Sequence, residues 1–374
     1  MSPAMTLASD TSIRTDPLEK RYQKGVKHLC ENGVSKVPSK YILPLSERPN
    51  VPDAKLDTNV PNIKLPIIDL AELLGPNRSQ VLESLTNACR DYGFFQVINH
   101  GIAIDVIRDT IDVAQRFFEL SFEEREKYMS ADINAPARYG TSLNQTNDSV
   151  FCWRDFLKLK CHPLLDVLAH WPSSPSDLRE TIVSYSREAK SLYLILMKVI
   201  LETLGLTGNN EDSDKDEILN DFEDGSQIMA INYYPSCPEP DLTLGMPPHS
   251  DYGFLTLLLQ DDVKGLQIQH EEKWVTVEPI PNSFVVNIGD HFEIFSNGRY
   301  KSVLHRVIVN SSKSRISVVS LHSLPFECMV TPSAKLIDEA NPKRYKDTDF
   351  ASFIEYISSC GLKQKNFLES RKLT

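Results

Sequence analysis

His249-Ser250-Asp251 sets an imidazole and a carboxylate two residues apart, and His305 follows about fifty residues later. In an extended strand residues i and i+2 share one face, so His249 and Asp251 can address one ion while Ser250 points away. Two imidazoles and one carboxylate leave coordination positions open, a ligand set that suits a redox-active Fe(II). Arg315-Ile316-Ser317 repeats the same spacing. There a planar guanidinium can fork onto a carboxylate and the hydroxyl can add a third hydrogen bond. A metal with open positions beside a carboxylate anchor implies a keto-acid cosubstrate.

The pattern His-x-acid recurs at His270 to Glu272 and at His291 to Glu293, so it needs weighing against structural roles. His270-Glu271-Glu272-Lys273 lies between two apolar stretches and reads as a solvated hairpin tip. His291-Phe292-Glu293 reads as structural, because no anchor follows a later histidine at a matching distance. Zinc would accept the His249, Asp251 and His305 ligands, but it has no redox chemistry and would leave Arg315 and Ser317 without a role. The run from His305 to Leu321 reads as strand, polar turn, strand. Folding it as a hairpin about Ser312 sets His305 opposite Val319, which would bring His305, Arg315 and Ser317 onto one face.

Several elements must position these residues. Residues 1–61 read as an extended arm with one short helix near Leu18 to Leu29. Helical spacing of apolar residues marks Ser79 to Tyr92 and Ile104 to Leu120, with a short strand, Phe94 to Ile98, between them. Ser121 with Glu124 is a capping-box signal for another short helix. Ser174-Pro175 opens the longest helix, whose stripe of Leu178, Ile182, Tyr185, Ala189, Leu192, Leu196, Val199 and Thr203 ends at Gly205. Residues 206–217 are acidic and polar and read as an exposed loop. From Gln227 to Leu324 short apolar, β-branched runs alternate with Pro, Gly and Asp clusters, which predicts an antiparallel sandwich or barrel. Residues 349–370 read as a closing helix. The chain thus divides into an arm (1–61), a first helical region (62–172), a bracing helix with an acidic loop (173–224), a strand-rich unit (225–326) and a closing segment (327–374).

Asn232-Tyr233-Tyr234-Pro235-Ser236-Cys237-Pro238, His249-Ser250-Asp251, Asn287-Ile288-Gly289-Asp290, Ser296 to Ser302 and His305-Arg306 together resemble the plant 2-oxoglutarate-dependent dioxygenases. Leu65 to Leu70 and Tyr92 to Gly101 are similar to that family's first block, so the resemblance spans roughly residues 60 to 330. Arg138 to Ser142, Trp153 to Leu159 and His170-Trp171-Pro172 look most like a subgroup of phenolic and hormone oxidisers. That subgroup contains salicylate hydroxylases of the downy-mildew-resistance type, flavone synthases and coumarin-forming hydroxylases. The resemblance implies a double-stranded β-helix, or jelly roll, braced by N-terminal helices, with the closing helix over the substrate mouth.

It also implies Fe(II) on His249, Asp251 and His305, with 2-oxoglutarate held by Arg315 and Ser317 and assisted by Asn232 and Tyr234. Ascorbate is the implied reductant. O2 and 2-oxoglutarate become succinate and CO2 while a small substrate is hydroxylated, desaturated or demethylated. By position relative to the motifs, Tyr139, Thr141, Phe156, Tyr252, Phe292, Leu321 and Ser323 are candidate lining residues of the substrate pocket. Flavonoid-oxidising relatives usually carry Lys where this chain has Ala230, and Phe and Glu where it has Leu321 and Ser323. A smaller or differently charged substrate is therefore expected. Two alternatives stay open: an ascorbate-dependent oxidase like those that act on aminocyclopropane carboxylate, and a non-catalytic binding protein on the same fold.

Composition agrees with a soluble enzyme. The 374 residues suffice for a large catalytic core, and the net charge of −11 argues against a nucleic-acid partner. No apolar run is long enough to span a bilayer and no secretory signal opens the chain, so a cytoplasmic, or also nuclear, monomer is expected. The seven cysteines, without a CxxC pair, suit free thiols in a reducing compartment.

Overall fold

The computed structural model describes residues 24–49, 64–142, 148–207, 214–359 and 367–373. The helices are α1 (Val26–Glu31), α2 (Arg78–Asn87), α3 (Ile104–Glu119), α4 (Phe122–Glu126), α5 (Leu164–Val167), α6 (Leu178–Thr203), α7 (Asp214–Glu223), α8 (Asp290–Phe295), α9 (Phe350–Ser359) and α10 (Phe367–Arg371). In α6 the predicted stripe is realised: Leu178, Ile182, Tyr185, Ala189, Leu192 and Leu196 are all buried. Gly205, at φ 72, lies just beyond the helix in the left-handed conformation that glycine adopts without strain. Ser121 caps α4 through its backbone carbonyl, which accepts from Glu124 and Arg125, but its side chain makes no capping bond.

One reading of the sequence needs correction here. The acidic stretch after α6 is not loop throughout, because α7 begins at Asp214; Leu219 and Phe222, three apart, pack that helix against the core, with the Phe222 ring 6.2 Å from Tyr193. The described part of the closing segment comprises α9 and α10, and residues 360–366 between them lie outside the described residues. The arm's predicted helix begins at Val26, and residues 18–23 lie outside the described residues.

Among the described residues twelve strands form two sheets: β1 (Ile67–Asp69), β2 (Phe94–Ile98), β3 (Ala137–Thr141), β4 (Asp155–Lys160), β5 (Gln227–Tyr234), β6 (Met246–His249), β7 (Leu255–Gln260), β8 (Leu266–His270), β9 (Lys273–Thr276), β10 (Phe284–Ile288), β11 (His305–Val307) and β12 (Arg315–His322). The large sheet runs β1-β2-β10-β7-β12-β5-β4-β3 and the small one β6-β11-β8-β9. All pairings are antiparallel except β1 with β2. The two sheets face each other across one cavity in a jelly-roll core.

Strand alternation sorts the side chains of the large sheet. Met229, Ile231, Ile316, Val318, Leu257 and Leu157 are buried with α3 and α6 in the main apolar core. Ala230, Asn232, Tyr234, Ser317, Val319 and Leu321 point the other way and line the cavity. Each large side chain fully buried on the helix side contributes roughly 1.5–3 kcal/mol. The cavity face gives up part of that stabilisation to hold polar groups.

The expected hairpin between His305 and Arg315 does not form. β11 pairs with β6 and β8, placing His305 beside His249 and Ile268, whereas β12 pairs with β5 and β7, placing Val319 beside Ala230 and Leu258. The turn that was read as a hairpin tip instead carries the chain between sheets. Asn310 Oδ1 fixes it by accepting from Ser312 N, Ser312 Oγ and Lys313 N at 2.8 to 3.0 Å. His305 and Arg315 therefore meet across the cavity rather than along one ribbon.

Candidate active site

His249 closes β6, Asp251 sits in the turn after it, and His305 opens β11, directly opposite His249. The register slips between His305 and Val307, a bulge of the kind that re-aims side chains beside active sites. One ligand atom from each of His249, Asp251 and His305 lies within 4.8 Å of the others. Asp251 Oδ1 is 3.8 Å from His249 Nε2 and 3.7 Å from His305 Nε2, and the two rings are 4.1 Å apart. Each ring turns its Nδ1 to a backbone carbonyl, Pro247 at 2.9 Å for His249 and Val303 at 3.2 Å for His305. Donating Nδ1–H there fixes the tautomer and leaves both Nε2 lone pairs aimed at one point, as a metal requires. The edge of His305 also rests on the Phe94 ring at 5.3 Å.

Asp251 is held by its second oxygen, which accepts from Asn287 Nδ2 at 2.9 Å. Burial alone would raise its pKa, but the neighbouring imidazoles of His305 and His249 and the bond from Asn287 together hold it below the ordinary carboxylate value. Behind it, Asp290 accepts from Ser250 at 3.0 Å and Ser302 at 2.7 Å, and burial pushes its pKa up to about 7. The donor set, its tautomers and its carboxylate support thus fit Fe(II).

Arg315 stands at the far end of the same cavity and is 3 % exposed. Its Nε donates to the Val263 carbonyl at 3.1 Å and its Nη2 to Gln260 Oε1 at 2.8 Å. Tyr234 lies against the guanidinium at 5.2 Å. Nη1 is buried without a partner among the described residues, a donor that costs free energy until something accepts from it. Two glycines make this packing possible. A methyl group on Gly265 would come 2.9 Å from Arg315 Cδ, and one on Gly245 would come 2.5 Å from the Tyr234 ring. Ser317 pairs in register with Asn232, and both border the cavity.

The cavity, about 270 Å³, also receives Phe156, Tyr252 and Leu321. Four other candidate lining residues lie elsewhere. Tyr139 faces the helices, its hydroxyl donating to Asp155 Oδ2 at 3.1 Å and its ring packed on Phe117 and Phe118. Thr141 shares that face and donates to the Arg154 carbonyl. Phe292, on α8, packs into the core against Phe254 and Phe295. Ser323 lies past the end of β12, bonded to His291 Nδ1 at 3.0 Å, and borders a separate small cleft.

The sequence reading missed Arg154, Lys158 and Met246, which border the cavity, and the supporting residue Asn287. The i, i+2 spacing of Arg154, Phe156 and Lys158 was the available signal. Phe350, Phe353 and Ile354 of α9 also border the cavity.

Comparison with known proteins agrees with this geometry. Residues 65–175 match the model of the non-haem dioxygenase in morphine synthesis N-terminal family, and residues 225–323 match that of the 2OG-Fe(II) oxygenase superfamily. DMR6-LIKE OXYGENASE 2 of Arabidopsis thaliana is 39 % identical over 341 residues, covering 91 % of this chain and 95 % of the relative. The chain belongs to the 2OG-Fe(II) oxygenase superfamily. Flavanone 3-dioxygenase 2 of Oryza sativa subsp. japonica is 40 % identical to this oxygenase over 334 residues, covering 89 % of this chain and 93 % of the relative. The crystal structure of JOX2 in complex with 2OG, Fe and JA superposes with a TM-score of 0.80 at 34 % identity, covering 94 % of this chain and 98 % of that one. The protein is a non-haem Fe(II)- and 2-oxoglutarate-dependent dioxygenase. Among the described residues of this oxygenase no helix is long and apolar enough to cross a membrane.

Proposed function

We propose that the protein oxidises a small plant metabolite or hormone, most simply by hydroxylation, with His249, Asp251 and His305 holding Fe(II) and Arg315 with Ser317 holding the far carboxylate of 2-oxoglutarate. The observation that carries this assignment is the unpartnered Arg315 Nη1, buried in the same cavity as three convergent metal ligands. When bound, iron and 2-oxoglutarate together activate O2, with succinate and CO2 released as a C–H bond of the substrate is oxidised, and ascorbate keeps the metal reduced.

The chain's own residues supply placement. Val263, Gln260 and Tyr234 lock the guanidinium plane, so that Nη1 is presented without further ordering. Asn232, steadied by Arg154, and Tyr234 border the cavity and would assist the cosubstrate there. Asn287 keeps the Asp251 carboxylate oriented. Phe94, Leu258, Leu266 and the α9 side chains form dry walls that keep water from the reacting centre. The six described cysteines are free, which supports a reducing compartment, cytosol or nucleus.

Incubation with Fe(II), 2-oxoglutarate and ascorbate against a panel of small phenolics and hormones tests the reading. Substrate-dependent succinate and a product heavier by one oxygen atom are expected. A loss of two hydrogens would assign desaturation instead, and no succinate above a heat-killed control would overturn the proposal.

A further inference from the structure

The β4 wall of the cavity carries positive charge that the metal and cosubstrate groups leave unused. Alternation along β4 places Phe156, Lys158 and Lys160 on the cavity face, while Leu157 and Leu159 are fully buried on the other. Arg154, one residue before the strand, borders the cavity too and lies 5.0 Å from the Phe156 ring. It is 7 % exposed; one Nη donates to Asn232 Oδ1 at 3.1 Å, and its buried Nε has no partner among the described residues.

Lys158 gives one of its three donors to the Ile133 carbonyl. Burial pushes its pKa down to about 8, and the charges of Arg138 and Lys160 push it the same way, with only Asp132 opposing. Among the described residues no carboxylate forms an ion pair with Lys158. The acids that border the cavity, Asp251 and Asp290, belong to the metal end. Across the strand Lys158 is paired with Ala230, a side chain that offers no counter-charge. Cations drawn out of water without a counter-charge destabilise a fold unless a bound anion offsets the cost.

We propose that the substrate carries a carboxylate and that Lys158 receives it, with Arg154 adding a contact across the Phe156 ring. This rests on the dioxygenase reading above and names its substrate class. The substrate's body would lie along Leu258, Val319 and Leu321, with the carbon to be oxidised toward His249, Asp251 and His305. A small apolar acid has that shape, with one charged end and a dry remainder.

Benzoate, phenylacetate, trans-cinnamate and hexanoate, each paired with its methyl ester, are titrated calorimetrically into the full chain with Fe(II) and 2-oxoglutarate under argon. At least one acid is expected to bind about tenfold more tightly than its ester, the scale of one charge-assisted hydrogen bond. Lys158→Met should remove the difference by weakening the acid alone, Lys158→Arg should keep it, and Lys313→Met, on the exposed turn, should match wild type. Acid affinity should fall as pH is raised through 8. Esters binding as well as acids, an acid preference that survives Lys158→Met, or no acid binding at all would overturn the assignment. Succinate formed by the wild-type chain with the panel of small phenolics and hormones separates the two levels: succinate with any panel member but no acid preference removes only the substrate class, whereas none with any member removes the dioxygenase reading itself.

Discussion

His249-x-Asp251 and His291-x-Glu293 are the same pattern in sequence and opposite things in space. The first lies at the end of a strand and in the turn after it, so its two side chains reach one point that His305 approaches from the facing strand. The second lies on helix α8, where residues two apart are not neighbours on one face, and its side chains separate. His291 is buried against Tyr252 and Ser323, and burial pushes its pKa down to about 4, which keeps it neutral. Glu293 turns to other groups, accepting from Tyr345 Oη and Ser302 N, each at 2.6 Å. A His-x-acid pair gains chemistry only when a strand geometry points both groups at open space.

The largest expected effect breaks the comparison at its functional half. Asp251→Ala should abolish succinate formation while the thermal melt stays cooperative; persistent turnover would remove the metal assignment. Arg315→Ala tests whether the far end is equally committed. Losing a buried, charge-assisted contact worth about 2–5 kcal/mol predicts a KM for 2-oxoglutarate raised roughly 30-fold or more, read from succinate kinetics.

On the structural half, Glu293→Ala leaves two buried donors unmatched. Urea denaturation should show a stability loss of about 2–4 kcal/mol, with turnover per folded molecule retained. The smallest effect is on pH. His291 titrates near 4 in the folded chain against about 6.5 when unfolded, so its contribution is fully present above 6.5 and is lost as pH falls toward 4. Between pH 7 and 5.5 this amounts to about 1 kcal/mol, and His291→Gln should flatten that limb of the stability profile.

How far the sequence could be read follows from the same geometry. His249, Asp251, His305, Arg315 and Ser317 were legible because their roles depend on residue type and on i, i+2 spacing in strands. Their convergence was right and its reason wrong. A local hairpin was expected for His305 and Arg315, but the non-local partners His249 and Tyr234 win, since burying both sheet faces outweighs the shorter loop closure. Tyr139 and Thr141 were chosen only by their position relative to the motifs, and β3 turns their face to the helices instead of the cavity. Phe292 went astray because α8 interrupts the strand pattern with helical periodicity. Lys158 and Arg154 escaped notice because charged residues in a strand ordinarily face water, and only the tertiary packing shows that these border a cavity.

Equilibrium dialysis against Fe(II) under argon addresses the central claim directly. One iron per chain should be retained by the wild-type protein and by Glu293→Ala, and none by Asp251→Ala at the same concentration. Equal iron in Asp251→Ala, or its loss in Glu293→Ala with the fold intact, would contradict the account.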